Sequence, residues 1–170
     1  MLKREAFWPL VKTGIFTLLV PFVVGWWAPG RVHAAYSNYD QVSNGRVWFR
    51  VGSYLFLALG AAIYFWCAWD FAVTGLGTPA PIDAPKVLVA KGLYRYVRNP
   101  MYVGVACLII SRAIFWLSYP VVIYLLIVVA FFHTFVMAYE EPHLKRAFGE
   151  QYEEYCRRVP RWLPRLRAKS

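Results

Sequence analysis

Apolar positions in this chain fall into long blocks rather than alternating stripes. Four blocks stand out, at residues 7–27, 48–73, 101–117 and 120–139, and they carry as charged groups only Lys12, then Arg50 and Asp70, then Arg112, then none. A helix rises 1.5 Å per residue, so about 20 apolar residues cross the hydrocarbon core. The pattern predicts an all-α integral membrane chain, a single domain over residues 1–170 with four transmembrane helices. Ser118, Tyr119 and Pro120 leave room only for a tight hairpin between the last two.

The connections differ in character. Pro29 to Gly45 is polar and turn-rich and reads as an irregular surface loop. Thr74 to Asn99 carries Pro79, Pro81 and Pro85 and favours extended chain. A loop of that length in so small a protein marks a functional segment. Its Gly75-Leu76-Gly77 lacks the strand and third glycine of a nucleotide loop and reads as a turn. Beyond Glu140-Glu141-Pro142, residues Leu144, Phe148, Tyr152 and Tyr155 are spaced 4, 4 and 3 apart. That predicts an amphipathic helix over 143–158, lying on the membrane surface or capping the loop and stopped by Pro160 and Pro164.

Composition agrees: 59% of the 170 residues are apolar and 16% are charged, too greasy for an ordinary soluble domain. Lys3, Arg4, Lys86, Lys91, Arg95, Arg98 and the cations from Lys145 to Lys169 outnumber Arg31, Arg46 and Arg50, so both termini and the loop before Met101 are expected on the cytoplasmic side. The same bias and contact with anionic lipid account for the net charge of +10 without nucleic acid. Lys3, Arg4 and the triplet Val32-His33-Ala34 imitate a cleavable signal, but the apolar run is too long and ends in Trp26-Trp27, as an interfacial belt does. Cys67, Cys107 and Cys156 show no paired spacing, which argues against a disulfide framework and against a metal site.

Candidate chemistry gathers at one joint. In GLYRYVRNPMYVG, Gly92 to Gly104, a basic, tyrosine-rich loop meets an apolar helix at Asn99-Pro100. Proline at the first helical position leaves free N–H groups at a positive helix end. The hairpin brings this joint to the depth of Tyr139, beside Glu140 and Glu141. Carboxylates at a helix C-terminus oppose the macrodipole and call for Arg95, Arg98, Lys91 or a bound cation. His133 lies two turns before Glu140, about 10 Å along the axis. Arg112 is expected to snorkel, and Asp70 and Lys12 to reach the interface.

The string from Lys86 to Gly104, then Glu140-Glu141, then Phe148-Gly149-Glu150-Gln151-Tyr152-Glu153-Glu154-Tyr155 and Arg158-Val159-Pro160, resembles the isoprenylcysteine carboxyl methyltransferase superfamily, which also takes in bacterial and phospholipid methyltransferase relatives. The resemblance covers about the C-terminal half and fits the bacterial type, hence a multi-pass protein of the bacterial inner membrane. It implies S-adenosylmethionine as cytoplasmic methyl donor, bound by a strand-like segment of Lys86, Val87, Leu88 and Val89, by Tyr94, by Asn99, Pro100, Met101 and Tyr102, and by Glu140. It also implies a lipophilic acceptor entering laterally from the bilayer, with an amine, thiol or carboxylate nucleophile; an aminophospholipid N-methyltransferase is the narrower alternative. Glu141 and His133 are the candidates for acid–base assistance. Asn99 stands where the eukaryotic enzymes have histidine, and Val136 where they place a substrate-binding arginine. A non-catalytic membrane scaffold or lipid-binding protein is the alternative from another class, and it predicts no affinity for the cofactor.

Overall fold

A computed structural model describes residues 18–36, 47–70 and 87–164. All regular structure among them is helical, with no strand. Residues 18–22 lead through a π-helical turn, Val23–Trp27, into α1, Ala28–Tyr36. The long α2, Val47–Asp70, is followed by a 3₁₀ turn, Gly92–Arg95, and by α3, Pro100–Trp116. Next come α4, Tyr119–Phe135, a second π-helical turn, Val136–Glu140, and α5, Glu141–Phe148; α6, Glu150–Arg158, follows. Two helices, Val47–Asp70 and the continuous Tyr119–Phe148, are long and apolar enough to cross a membrane. Their Leu55, Phe65, Leu126, Ile127 and Phe131 are each more than half exposed, the inside-out arrangement of a lipid-facing surface.

Two prolines behave differently from the sequence-based expectation, and for one reason. Pro29 was expected to open an irregular loop, and Pro142 to separate the fourth apolar block from a new helix. Instead the helix passes through both. Immediately before each proline the helix widens: Ala28 N–H bonds to Val23 O and Glu141 N–H to Val136 O, one residue farther back than in an α-helix. The extra residue per turn shifts the hydrogen-bond ladder where proline has no N–H to offer and where its ring would strike the preceding turn. Glu140 and Glu141 therefore lie within a helix, not at its C-terminus, and the macrodipole argument for a compensating cation lapses. The predicted 143–158 helix is in turn divided at Gly149, whose φ of 53° and ψ of −128° suit glycine alone.

The framework is a close crossing of α2 and α3. A Cβ on Gly60 would stand 2.8 Å from Gly104 O, and one on Gly104 would stand 3.1 Å from Gly60 O and from Tyr64 N. With no side chain between them the two backbones touch, the small-residue solution for helices that cannot rely on water to drive them together. Tyr64, Val105, Ile109, Ala113, Val121 and Phe132 form the buried core around this crossing. Leu117, in the left-handed region at φ 48°, ends α3, and Ser118 turns the chain directly into α4, the tight hairpin expected at these residues. Tyr124 Oη donates to Val24 O at 3.0 Å and ties the amino-terminal helical segment to α4.

Candidate functional site

Pro100 opens α3 and Tyr102 emerges from the same first turn, facing the π-helical turn that follows α4 across the hairpin. Its Oη donates to Glu140 Oε2 at 2.8 Å. No cation among the described residues pairs with Glu140, although the side chain is largely shielded. The Tyr102 ring lies 4.7 Å from that of Phe132, with Trp162 edge-on at 6.4 Å.

Tyr94 enters from the 3₁₀ turn and is 7% exposed. Burial first, then the neighbouring Cys67, pushes its phenol well above the ordinary tyrosine range, and Glu140 contributes in the same direction. Its hydroxyl hydrogen-bonds the Cys67 thiol of α2, and its carbonyl accepts from Tyr155 Oη at 2.8 Å. Tyr94, Tyr102 and Glu140 are thus brought to one place, with Cys67 behind Tyr94. Met101 packs between the main core and a small cluster of Cys67, Val89 and Tyr94. Val89 is buried at 4%, Leu88 is half-buried and Val87 is exposed; none of the three is in a strand. Lys86 lies outside the described residues.

The remaining candidates are engaged in holding the C-terminal segment down. Asn99 is 5% exposed and its Nδ2 donates to Arg161 O at 3.2 Å, while the preceding Arg98 N–H donates to Pro160 O at 2.9 Å. Glu141 takes Arg161 in a two-pronged pair, 2.7 Å to Oε1 and 2.8 Å to Oε2, and Arg98 Nη1 lies 2.9 Å from Oε1. That hydrogen bonding holds Arg161 still more firmly protonated. Glu141 thus joins loop, helix and tail. His133 is exposed, and its Nδ1 accepts from Trp162 Nε1 at 3.1 Å. The compensating role foreseen for Arg98 is filled at Glu141, whereas Arg161, Trp162 and Cys67 carried no local signal: only the fold-back of residues 159–164 and the α2–α3 crossing bring them here.

Two buried oxygens near this end, Tyr64 Oη and Asp70 Oδ2, have no hydrogen-bond partner among the described residues. Asp70 Oδ2 sits so close to Gly92, at φ 55°, that a Cβ there would overlap it. The arrangement therefore offers a shielded carboxylate whose one partner among the described residues is a phenol, with the rings of Tyr94, Tyr102 and Trp162 around it. Such a set fits a positively charged ligand with an aromatic portion, because a cation supplies what the Glu140 carboxylate lacks. The S-adenosylmethionine implied by the resemblance meets that description. Asn99 gives one of its two Nδ2–H groups to Arg161 O.

The family described as phospholipid methyltransferase matches residues 48–151, more than half of the chain. Protein-S-isoprenylcysteine O-methyltransferase B of Arabidopsis thaliana is 35% identical over 77 residues, 45% of this chain and 39% of that protein. Protein-S-isoprenylcysteine O-methyltransferase of Schizosaccharomyces pombe is 31% identical over 78 residues, 46% of this chain and 33% of that protein. The match thus spans well under half the length of either relative. No solved structure matches the chain significantly.

Proposed function

The chain belongs to the phospholipid methyltransferase family, and from that premise we propose that it is a four-span integral membrane methyltransferase moving a methyl group from S-adenosylmethionine to a lipophilic acceptor. The observation that carries the reading is the Tyr102–Glu140 pair, a shielded carboxylate with a phenol partner and no cation among the described residues. Glu140 complements the positive charge of the donor, and Tyr102 fixes the carboxylate's rotamer. Tyr94 closes the pocket floor against α2. When bound, the donor supplies an electrophilic methyl on a cationic sulfur. The protein's part is to orient that methyl toward the bilayer side, to exclude water and to let an apolar acceptor approach in line.

Glu141 and His133 serve this reading as anchors of the tail rather than as proton acceptors. The acceptor is a membrane lipid bearing an amine in preference to a carboxylate. The position four residues before Glu140 is Val136, fully buried, and Arg98 and Arg161 are already paired with Glu141. The positive-inside count supports placing the Glu140 end at the cytoplasmic face. The C-terminal α6 then covers the pocket from that side as one unit with the spans.

Calorimetric titration of the detergent-solubilised protein with S-adenosylhomocysteine tests the pocket. Saturable binding is expected, reduced about tenfold or more by Glu140→Gln and by less in Tyr102→Phe. No binding by a folded wild-type protein would leave a non-catalytic scaffold as the better reading. Incubation of membrane lipids with methyl-labelled cofactor then tests the acceptor: label released by alkali marks an ester and sinks the amine assignment.

A further inference from the structure

The opposite end of the bundle holds a cation that the methyl-transfer site does not use. Arg112 lies ten residues along α3 from Tyr102, about 15 Å away along the axis. Snorkelling to the interface was expected of it, and its guanidinium carbon stands 3.0 Å over the Trp26 ring and 5.0 Å from that of Trp116, which itself stacks on His33 at 4.7 Å. Its Nε is buried without a hydrogen-bond partner, and no carboxylate pairs with it among the described residues. The described carboxylates, Asp70, Glu140, Glu141, Glu150, Glu153 and Glu154, all belong to the other end, whereas Arg31 and Arg50 lie exposed at this one.

Indole faces satisfy a guanidinium's charge but not its N–H groups, which radiate in its plane. A planar fork of donors held by rings and lacking an acceptor among the described residues is the arrangement that accepts a phosphate in two-pronged fashion. Its position at the end of lipid-facing helices, beside Trp26 and Trp116, is where a phospholipid carries its phosphodiester. We propose that Arg112, framed by Trp26 and Trp116, is a phosphate-binding site that takes the phosphodiester of a membrane phospholipid in the leaflet opposite the Tyr102–Glu140 pair.

Native mass spectrometry of the full chain released from detergent tests this, with phosphatidylglycerol, a diacylglycerol lacking phosphate, and inorganic phosphate as separate additions. One phosphatidylglycerol retained per chain is expected, with occupancy reduced about tenfold in Arg112→Gln and less in Arg112→Lys, which keeps the charge but loses the fork. Diacylglycerol is not retained. Equal retention of phosphatidylglycerol by wild type and both variants, or equal retention of diacylglycerol, overturns the proposal. Displacement of the lipid by equimolar inorganic phosphate overturns the lipid source. Thermal unfolding of each variant shows that it is folded; if Arg112→Gln is not, the Arg112→Lys comparison decides, with unchanged occupancy counting against the site.

Discussion

Gly104 shows how much one residue can fix. A methyl group added there meets backbone atoms, Gly60 O and Tyr64 N, both at 3.1 Å, and backbone cannot rotate away as a side chain can. Gly104→Ala is expected to cost about 1–3 kcal/mol through separation of α2 and α3. Thermal unfolding in detergent checks it, and an unchanged midpoint would mean that the crossing is looser than drawn. Gly104 belongs to the string that carried the family resemblance, yet its role here is packing. Tyr94, Tyr102 and Glu140 were legible as a cluster because two short-range signals, Asn99-Pro100 and the Ser118-Tyr119-Pro120 turn, fix the depth of both helices. Asn99 was legible as a joint residue, whereas its bond to the tail was not. An amide that bonds a backbone carbonyl 62 residues later leaves no trace in local spacing.

At the scale of elements, the sequence reading placed α2, α3 and α4 close to their apolar blocks and the interruptions poorly, while residues 7–17 of the first block lie outside the described residues. Apolar blocks announce helices because burial in lipid or core needs no local partner. Proline announces a break only if the ladder cannot widen, and at Val23–Trp27 and Val136–Glu140 it does. The joint of Glu141, Arg98 and Arg161 then decides where α6 sits. Glu141→Gln weakens both pairs and is expected to loosen the tail by about 1–3 kcal/mol. Limited proteolysis would show it as faster cleavage beyond Phe148, and unchanged rates would assign the docking to the buried Tyr152 and Val159 instead. The pairs Lys145–Glu153 and Glu154 with Arg157 and Arg158 hold both glutamates below the ordinary value of 4.5. A depressed folded-state pKa contributes stability above the unfolded value that disappears as pH falls through the folded one. The α5–α6 segment should therefore lose order at acid pH and not on moderate alkalinisation; hydrogen exchange of residues 145–158 measures this, and a small effect is expected because these groups are exposed.

For the whole molecule, charge and packing divide the protein into two ends. The described carboxylates gather with Tyr94 and Tyr102 at one, and Arg112, framed by Trp26 and Trp116 and without a carboxylate among the described residues, lies at the other. With cysteine placed singly at Glu150 or Tyr119, both exposed, an impermeant thiol reagent is expected to reach position 150 only from the cytoplasmic face and position 119 only from the opposite face. The reverse pattern would invert the topology inferred from positive charge. The α2–α3 contact also bears on motion. Two helices separated by side chains can slide as rotamers exchange, but two backbones in contact have no such slack. The pair therefore behaves as a stator: whatever opens to admit a ligand has to swing around it, with residues 150–164 held by one main-chain bond, Arg98 N–H to Pro160 O, and otherwise by side chains.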